Sequence, residues 1–160
     1  MRLIGDGGHA KVVREMIARV MHVEPLPDTF ALIAVGDNAA RKREAEAHPE
    51  LQYPVLRHDS AIVAQSALLA NGTIIMAGVI VQSNVNIGKH VILNTGCVVD
   101  HDCVIGDYAH IAPGAHLCGG VHVGEGSLVG VGVGIAPNTV IPPWSLVKAA
   151  RLDIVPLSGS

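Results

Sequence analysis

The chain has 160 residues, a formal net charge of −3 and only 2% aromatic residues, so it can hold one ordinary domain or a small domain followed by a repeat array. The weakly acidic balance, with no run rich in lysine and arginine, argues against binding to nucleic acid or to an anionic membrane. The sequence has no signal-peptide pattern, and no apolar run reaches the roughly 18 residues of a membrane helix, so we expect a cytoplasmic protein without membrane contact.

The N-terminal residues predict a short strand, a glycine-rich turn and a helix. Leu3 and Ile4 form the strand, residues 5–10 the turn, and apolar residues then recur at helical spacing from 12 to 20. This order is typical of nucleotide-binding α/β units, in which the N-terminus of the helix receives phosphate. The dinucleotide-binding fingerprint is incomplete, because Lys11 stands at the position of its third glycine.

A second strand and a second helix follow a proline-rich connection at residues 24–28. Residues 30–35 are a continuous apolar run, which is typical of a buried parallel strand. Asp37 or Asn38 then predicts the N-terminal cap of a helix over residues 39–48.

A six-residue repeat occupies most of the remaining chain. Four positions after each repeated aliphatic residue, the side chain is small or β-branched. A helix would require a period of 3.6 and a strand a period of 2, whereas a period of six fits a chain that turns a corner after each short strand. Three such strands make one triangular coil of a hexapeptide β-helix, so the sequence predicts a parallel β-solenoid of about five coils with its aliphatic residues inside. The fifteen repeated positions are Val63, Leu69, Ile75, Val81, Ile87, Leu93, Val99, Ile105, Ile111, Leu117, Val123, Val129, Ile135, Ile141 and Val147.

These elements divide the chain into three parts. Residues 1–57 predict a small α/β unit, with a third strand expected around residues 55–56. Residues 58–147 predict the solenoid, and residues 148–160 a C-terminal tail. Because repeat arrays need capped ends, we expect the α/β unit to lean against the first coil and cover its open end.

Three segments together resemble one enzyme family. They read GDGGHAKVV at 5–13, IAVGDNAARK at 33–42 and ILNTGCVVDHDCVIGDYAHIAPGAHLCGGVHVG at 92–124. This combination is similar to the bacterial sugar O-/N-acyltransferases of the NeuD/PglD type. The resemblance implies a left-handed parallel β-helix behind an abbreviated Rossmann-like α/β domain. It also implies a homotrimer with active sites between subunits.

The resemblance further implies a reaction and its partners. The expected co-substrate is acetyl-CoA, the expected acceptor is the amino or hydroxyl group of a nucleotide-activated sugar, and no metal is expected. The sequence departs from the family pattern in the N-terminal unit and in the tail. The family's usual second strand, which ends in an acidic residue, is missing between the first helix and residues 30–35, and the closing G-x-P-A-[KR] pattern is missing from the tail.

His101 is the candidate general base. Acyl transfer from a thioester needs a group that removes the proton of the nucleophile and a donor for the oxyanion, and an imidazole is the natural base near neutral pH. His101 lies between Asp100 and Asp102, either of which could fix its tautomer, and Gly119 stands one coil above it. The resemblance selects Asp102 as the partner and implies that the N–H of Gly119 contacts the thioester carbonyl. It places His110 against acetyl-CoA, and the sugar nucleotide against Gly7, Gly8, His9, Asn38 and Asn94.

Two alternative functions remain open at this point. A zinc enzyme of the γ-carbonic-anhydrase type would need two histidine ligands five residues apart on one strand, and this chain lacks that spacing. Its histidines at 110, 116 and 122 fall on three different faces of the predicted prism. A non-catalytic binding or scaffold module is favoured by the short N-terminal unit and disfavoured by the intact DHDC segment. Zinc analysis and calorimetric titration with acetyl-CoA discriminate these alternatives.

Overall fold

The computed structural model describes residues 1–20 and 27–148. The N-terminal unit contains β1 (Arg2–Ile4), α1 (Gly8–Val20), β2 (Ala31–Ile33) and α2 (Asn38–Ala47). The solenoid consists of two-residue strands: β3 (Leu56–Arg57), β4 (Ile62–Val63), β5 (Leu68–Leu69), β6 (Ile74–Ile75), β7 (Ile80–Val81), β8 (Asn86–Ile87), β9 (Ile92–Leu93), β10 (Val98–Val99), β11 (Val104–Ile105), β12 (His110–Ile111), β13 (His116–Leu117), β14 (His122–Val123), β15 (Leu128–Val129), β16 (Gly134–Ile135), β17 (Val140–Ile141) and β18 (Leu146–Val147). Among the described residues, no helix is both long and apolar enough to cross a membrane.

The predicted order of the N-terminal elements is confirmed. β1 and β2 pair in parallel, with Arg2 opposite Ala31 and Ile4 opposite Ile33. Asp37 caps α2, because its carboxylate accepts a hydrogen bond of 2.7 Å from the N–H of Ala40. Two strands and two helices do not by themselves establish a Rossmann-like domain. The predicted proline-rich connection lies largely outside the described residues, and so does the tail beyond residue 148.

The predicted solenoid of about five coils is confirmed. Its strands form three parallel sheets, two of five strands (β4-β7-β10-β13-β16 and β5-β8-β11-β14-β17) and one of six (β3-β6-β9-β12-β15-β18). The register sets each residue beside the one eighteen positions later, as with Val99 and Leu117. The repeated aliphatic residues from Ile75 to Val129 are almost fully buried, whereas Val63, Leu69 and Val147 at the two ends are partly exposed.

Two expectations about the N-terminal unit are wrong. The strand expected around residues 55–56 exists as β3, but it pairs with β6 and belongs to the solenoid. The unit also covers a side of the solenoid and not its open end. Ile74 and Ile92, which point outward from the six-stranded sheet, are 0% exposed, whereas Ile62 on a five-stranded sheet is 66% exposed. The burial of these outward aliphatic side chains is favourable, and it stabilises the N-terminal unit on this face.

Arg41 joins α2 to successive coils of the solenoid. Its guanidinium donates to the carbonyl oxygens of His90 at 2.8 Å, Tyr108 at 2.7 Å and Val35 at 2.9 Å, and to the side-chain oxygen of Asn38 at 2.8 Å. Burial lowers the pKa of Arg41 to about 10, so the side chain stays cationic at neutral pH. Its buried charge is therefore stabilised by carbonyl and amide dipoles.

Candidate active site

His101 and Asp102 form a hydrogen-bonded pair on the corner between β10 and β11. The Nδ1 atom of His101 lies 2.8 Å from Oδ2 of Asp102. Asp102 has a φ of 59°, a left-handed conformation that aspartate tolerates better than most residues and that turns its side chain back toward His101. Asp100 instead accepts a hydrogen bond from the backbone N–H of His101 at 2.8 Å. The choice left open between the two acids thus falls on Asp102.

The pKa values of the two side chains are shifted in the directions that favour a protonated imidazole beside an ionised carboxylate. Its hydrogen bond to Asp102, and then the negative charge of Asp100, raise the pKa of His101 above its usual range. The same hydrogen bond, and then one from Asn84, lower the pKa of Asp102. With Nδ1 holding a proton toward Asp102, the neutral imidazole presents the lone pair of Nε2 to a reactant.

Gly119 lies directly against the imidazole of His101. A Cβ atom at this glycine would stand 2.6 Å from Cε1 and 2.7 Å from Nε2 of the ring, closer than any side chain can approach. The adjacent N–H of Gly120 donates to the carbonyl of His101 at 2.9 Å, which fixes the two coils relative to each other. Within the described residues, the N–H of Gly119 itself donates to no protein acceptor. Gly119 therefore leaves room for the ring, and its own N–H has no protein acceptor among the described residues.

A second cluster joins the six-stranded sheet to the N-terminal unit. The side-chain amide of Asn94 lies 3.1 Å from Nε2 of His110, and its oxygen accepts from the N–H of Thr95 at 2.8 Å, which orients the amide nitrogen toward the imidazole. The ring of His9 lies 6.2 Å from that of His110, centroid to centroid. Burial, and then the charge of Arg41, lower the pKa values of both histidines to about 4. Both rings are therefore neutral at physiological pH.

The glycine-rich turn lines a cavity of about 370 Å³ beside this second cluster. The cavity lies at the carboxyl ends of β1 and β2 and at the N-terminus of α1, and its walls are residues 5–9 and 34–36. Gly7 and Gly8 are exposed and have open space where a side chain would stand. Nε2 of His9 is buried and has no hydrogen-bond partner in the described part of the chain. A turn of this kind exposes backbone N–H groups to a phosphate.

The structure separates the predicted site residues into these two groups. His101, Asp102 and Gly119 lie on the corner between the two five-stranded sheets, while His9, Asn94 and His110 lie at the six-stranded sheet. Asn38 belongs to neither group. It is buried, and its amide donates to the carbonyl of Gly126 at 3.0 Å while its oxygen accepts from Arg41.

Some features of the site were not predicted. Arg41 stands in the IAVGDNAARK segment, and nothing in the sequence indicates that it is buried. Asn84 stands eighteen residues before Asp102, and the register could have placed it beside that carboxylate. His116 and His122 lie exposed on the two five-stranded sheets, as the six-residue spacing predicts. The described residues contain no cluster of three or more His, Cys, Asp or Glu side chains that could hold a metal ion.

Comparisons with known proteins agree with this architecture. Residues 102–137 match the family described as bacterial transferase hexapeptide (six repeats). No curated protein matches the chain. Among solved structures, the acetyltransferase domain of PglB from Neisseria gonorrhoeae, in complex with acetyl coenzyme A, is 30% identical with a TM-score of 0.85, and the match covers 92% of this chain and 87% of that one.

Two further structures extend the comparison. PerB from Caulobacter crescentus, in complex with CoA and GDP-perosamine, is 34% identical with a TM-score of 0.83, and the match covers 92% of this chain and 85% of that one. WeeI from Acinetobacter baumannii is 19% identical with a TM-score of 0.66 over 92% of this chain and 95% of that one, which shows the shared fold alone. The resemblance seen in the sequence is thus confirmed over nearly the whole chain. The protein is an acyltransferase and belongs to the hexapeptide-repeat sugar acyltransferases of the NeuD/PglD type.

Proposed function

We propose that this protein transfers the acetyl group of acetyl-CoA to the amino group of a nucleotide-linked sugar, with His101 as the general base. The observation that carries the proposal is the His101–Asp102 pair packed under Gly119. The relatives support the co-substrate and the acceptor class, since the PglB domain was solved with acetyl coenzyme A and PerB with CoA and GDP-perosamine. Transfer to a hydroxyl group is the second candidate acceptor chemistry and uses the same residues.

The geometry supports a direct transfer. The amine attacks the thioester carbonyl carbon while Nε2 of His101 removes a proton from the attacking nitrogen. The carbonyl oxygen, now negatively charged, accepts a hydrogen bond from the N–H of Gly119. The carbon–sulfur bond then breaks, the imidazolium returns its proton to the departing thiolate, and the products are an N-acetyl sugar and free CoA. Asp102 keeps Nδ1 protonated and supports the transient positive charge on the ring.

The second cluster is assigned to the substrates. Gly7, Gly8 and His9 face the sugar nucleotide, with phosphate at the start of α1 and the unpartnered nitrogen of His9 directed at the sugar. Asn94 lines the sugar pocket, and His110 contacts acetyl-CoA. Because both ends of the Asn38 side chain are bonded to protein, we place Asn38 in the attachment of the unit to the solenoid and not in the substrate pocket.

The separation of the two clusters supports an active site shared between subunits, and the family resemblance implies that the assembly is a homotrimer of left-handed solenoids. Within one chain, His101 lies on the corner away from the six-stranded sheet, and in the proposed trimer a neighbouring subunit brings that sheet's cluster to it. Apolar side chains stand exposed on the two faces that the N-terminal unit leaves free, with Ile62 and Leu68 each 66% exposed and Val140 70% exposed. Contact between subunits would bury these side chains. Residues 1–57 then serve as the nucleotide-sugar-binding part, although β3 within them is structurally the start of the solenoid.

Subunit mixing tests whether the active site is shared. His101→Ala and His110→Ala subunits are each expected to form nearly inactive trimers. Trimers assembled randomly from equal amounts of the two should regain roughly one quarter of the wild-type activity, because one interface in four then combines both intact halves. Wild-type protein in the same mixing protocol is the control. Mixed samples that stay inactive although they form trimers, or a monomeric protein in sedimentation, would refute the shared site.

A substrate screen tests the proposed reaction itself. Purified protein is incubated with acetyl-CoA and a panel of nucleotide-linked amino sugars that includes GDP-perosamine, and the release of CoA thiol is followed. Acetyl transfer to at least one amino sugar, lost in His101→Ala, is the expected result. Calorimetric titration with acetyl-CoA provides the control for a scaffold role, since a pure scaffold would not bind it saturably.

A further inference from the structure

A column of polar residues runs along the corner that carries His101. Its members follow the coil register and stand eighteen positions apart at 66, 84 and 102. Ser66 accepts a hydrogen bond of 3.0 Å from the N–H of Asn84, and the side-chain amide of Asn84 donates to Oδ1 of Asp102 at 3.3 Å. Oδ2 of the same carboxylate lies 2.8 Å from His101. Each oxygen of Asp102 therefore has its own side-chain partner.

The hydrogen bond from Asn84 restrains the exposed carboxylate of Asp102. The side chains of His101 and Asp102 are 59% and 58% exposed, so water competes for the carboxylate and its terminal torsion is free to rotate. With one oxygen held by Asn84, the other remains directed at the imidazole. The backbone of Asn84 is itself fixed by Ser66 and by the neighbouring residue Val85, which is 0% exposed inside the solenoid.

We propose that Asn84 is a positioning residue of the acyl transfer, acting through Asp102 on the tautomer, orientation and proton affinity of His101. This inference rests on the proposed role of His101 as the base. Asn84 touches neither the reacting atoms nor the imidazole, and its effect passes through the carboxylate that it orients.

Two variants of Asn84 and one matched control provide the test. Asn84 has a φ of 59°, so Asn84→Gly removes the amide without backbone strain, and Asn84→Asp replaces the donor by a negative charge. Asn138→Gly is the control, because Asn138 occupies the same corner position two coils from Asp102 with a φ of 57° and makes no side-chain hydrogen bond in the described residues. Its backbone N–H donates to the carbonyl of Gly119 at 3.0 Å, and glycine keeps that donor. Any general effect of glycine at this corner would therefore also appear in the control.

The first readout is the NMR titration of the His101 imidazole, assigned by comparison with His101→Gln. The hydrogen bond from Asp102 is the largest cause that raises the pKa of His101, so loosening the carboxylate in Asn84→Gly should lower that pKa toward its usual range. Asn84→Asp should raise it, since a second carboxylate then faces the pair. Asn138→Gly should leave it unchanged. This measurement needs no acceptor substrate.

The second readout is catalysis with acetyl-CoA and GDP-perosamine. Asn84→Gly should lower kcat by about three- to tenfold without changing the KM for acetyl-CoA, since it perturbs the support of the base and not the binding of the co-substrate. If Asn84→Gly titrates and reacts like Asn138→Gly, the positioning role is wrong. A shifted titration with unchanged kcat would instead overturn the proposed role of His101 as the base, and His101→Ala would then also keep its activity.

Discussion

Gly119→Ala is the substitution for which the structure makes the sharpest prediction. The new methyl group would lie 2.6 Å from Cε1 and 2.7 Å from Nε2 of His101, whereas ordinary contacts begin at 3.4 Å. The imidazole must therefore retreat by about 0.8 Å or swing outward into solvent, which its exposed position permits. A displacement of about 1 Å from productive geometry costs on the order of 10²-fold in rate, so we expect kcat to fall by about 30- to 100-fold.

The same substitution should leave the fold intact. Gly119 does not have the left-handed conformation that would strain an alanine, and alanine keeps the backbone N–H that is proposed to contact the thioester carbonyl. The expected signature is thus a low kcat in a stable protein whose His101 titration has moved down, because the displaced ring loses its hydrogen bond to Asp102. Thermal unfolding, the imidazole titration and the release of CoA thiol measure these three properties.

Gly134→Ala is the matched control for this experiment. Gly134 lies one coil farther along, in β16, with a backbone conformation open to alanine and no atom within 4 Å of the added methyl group. It should retain the wild-type kcat, and sedimentation checks its oligomeric state because β16 lies on a face that the proposed subunit contact would cover. A folded Gly119→Ala protein with kcat within about twofold of wild type would show that the reaction does not depend on an imidazole under Gly119.

Three other perturbations address the base, the attachment of the N-terminal unit and the response to acid. His101→Ala should lower kcat by roughly 10²- to 10⁴-fold with acetyl-CoA binding retained in calorimetry, and Asp102→Asn should cost less because the imidazole remains. Arg41→Met should destabilise the protein to chemical denaturation by several kcal/mol, about 1–3 kcal/mol for each buried carbonyl left without its donor. Burial, and then the charge of Arg41, lower the pKa of His90 to about 4 in the folded protein. Between pH 6.5 and 4, His90 is therefore mostly protonated in the unfolded protein and mostly neutral in the folded protein. Protonation of His90 should therefore lower the free energy of unfolding by up to about 3 kcal/mol as the pH drops from 6.5 to 4, in addition to the losses from His9 and His110, and His90→Asn should remove the His90 share alone.

The interior of the solenoid was predictable from the sequence, and the placement of the N-terminal unit was not. An uninterrupted period of six fixes which side chains point inward and which residues stack. It does not distinguish the three outer faces, because the outward positions of one face, Ile74 and Ile92, resemble those of another, Ile62 and Ile80. The choice of face depends on packing with α1 and α2 and on the carbonyl oxygens that Arg41 reaches. These contacts do not follow the six-residue repeat, so the repeat could not predict them.

Parts of the candidate site were predictable for the same reason. The spacing of eighteen places Gly119 above His101, and the structure shows that contact directly. The choice between Asp100 and Asp102 depended on the left-handed corner at Asp102, which reverses the direction of its side chain. Asn84 could have been found from the register, but a hydrogen bond between two exposed side chains needs their conformations as well as their positions.

The pKa shifts of the histidines differ between the two clusters, and the difference fits the proposal that one cluster supplies the base and the other binds the substrates. Neighbouring carboxylates raise the pKa of His101, which suits a group that accepts a proton and carries positive charge during the reaction. Burial beside Arg41 lowers the pKa values of His9 and His110 to about 4, which suits rings that remain neutral and form hydrogen bonds. If all three histidines met within one chain, the imidazolium formed at His101 would also stand beside the buried guanidinium of Arg41, and its formation would be disfavoured. In the proposed trimer, His101 on its exposed corner would develop positive charge next to carboxylates and away from Arg41, while neutral groups of the adjoining subunit would hold the substrates.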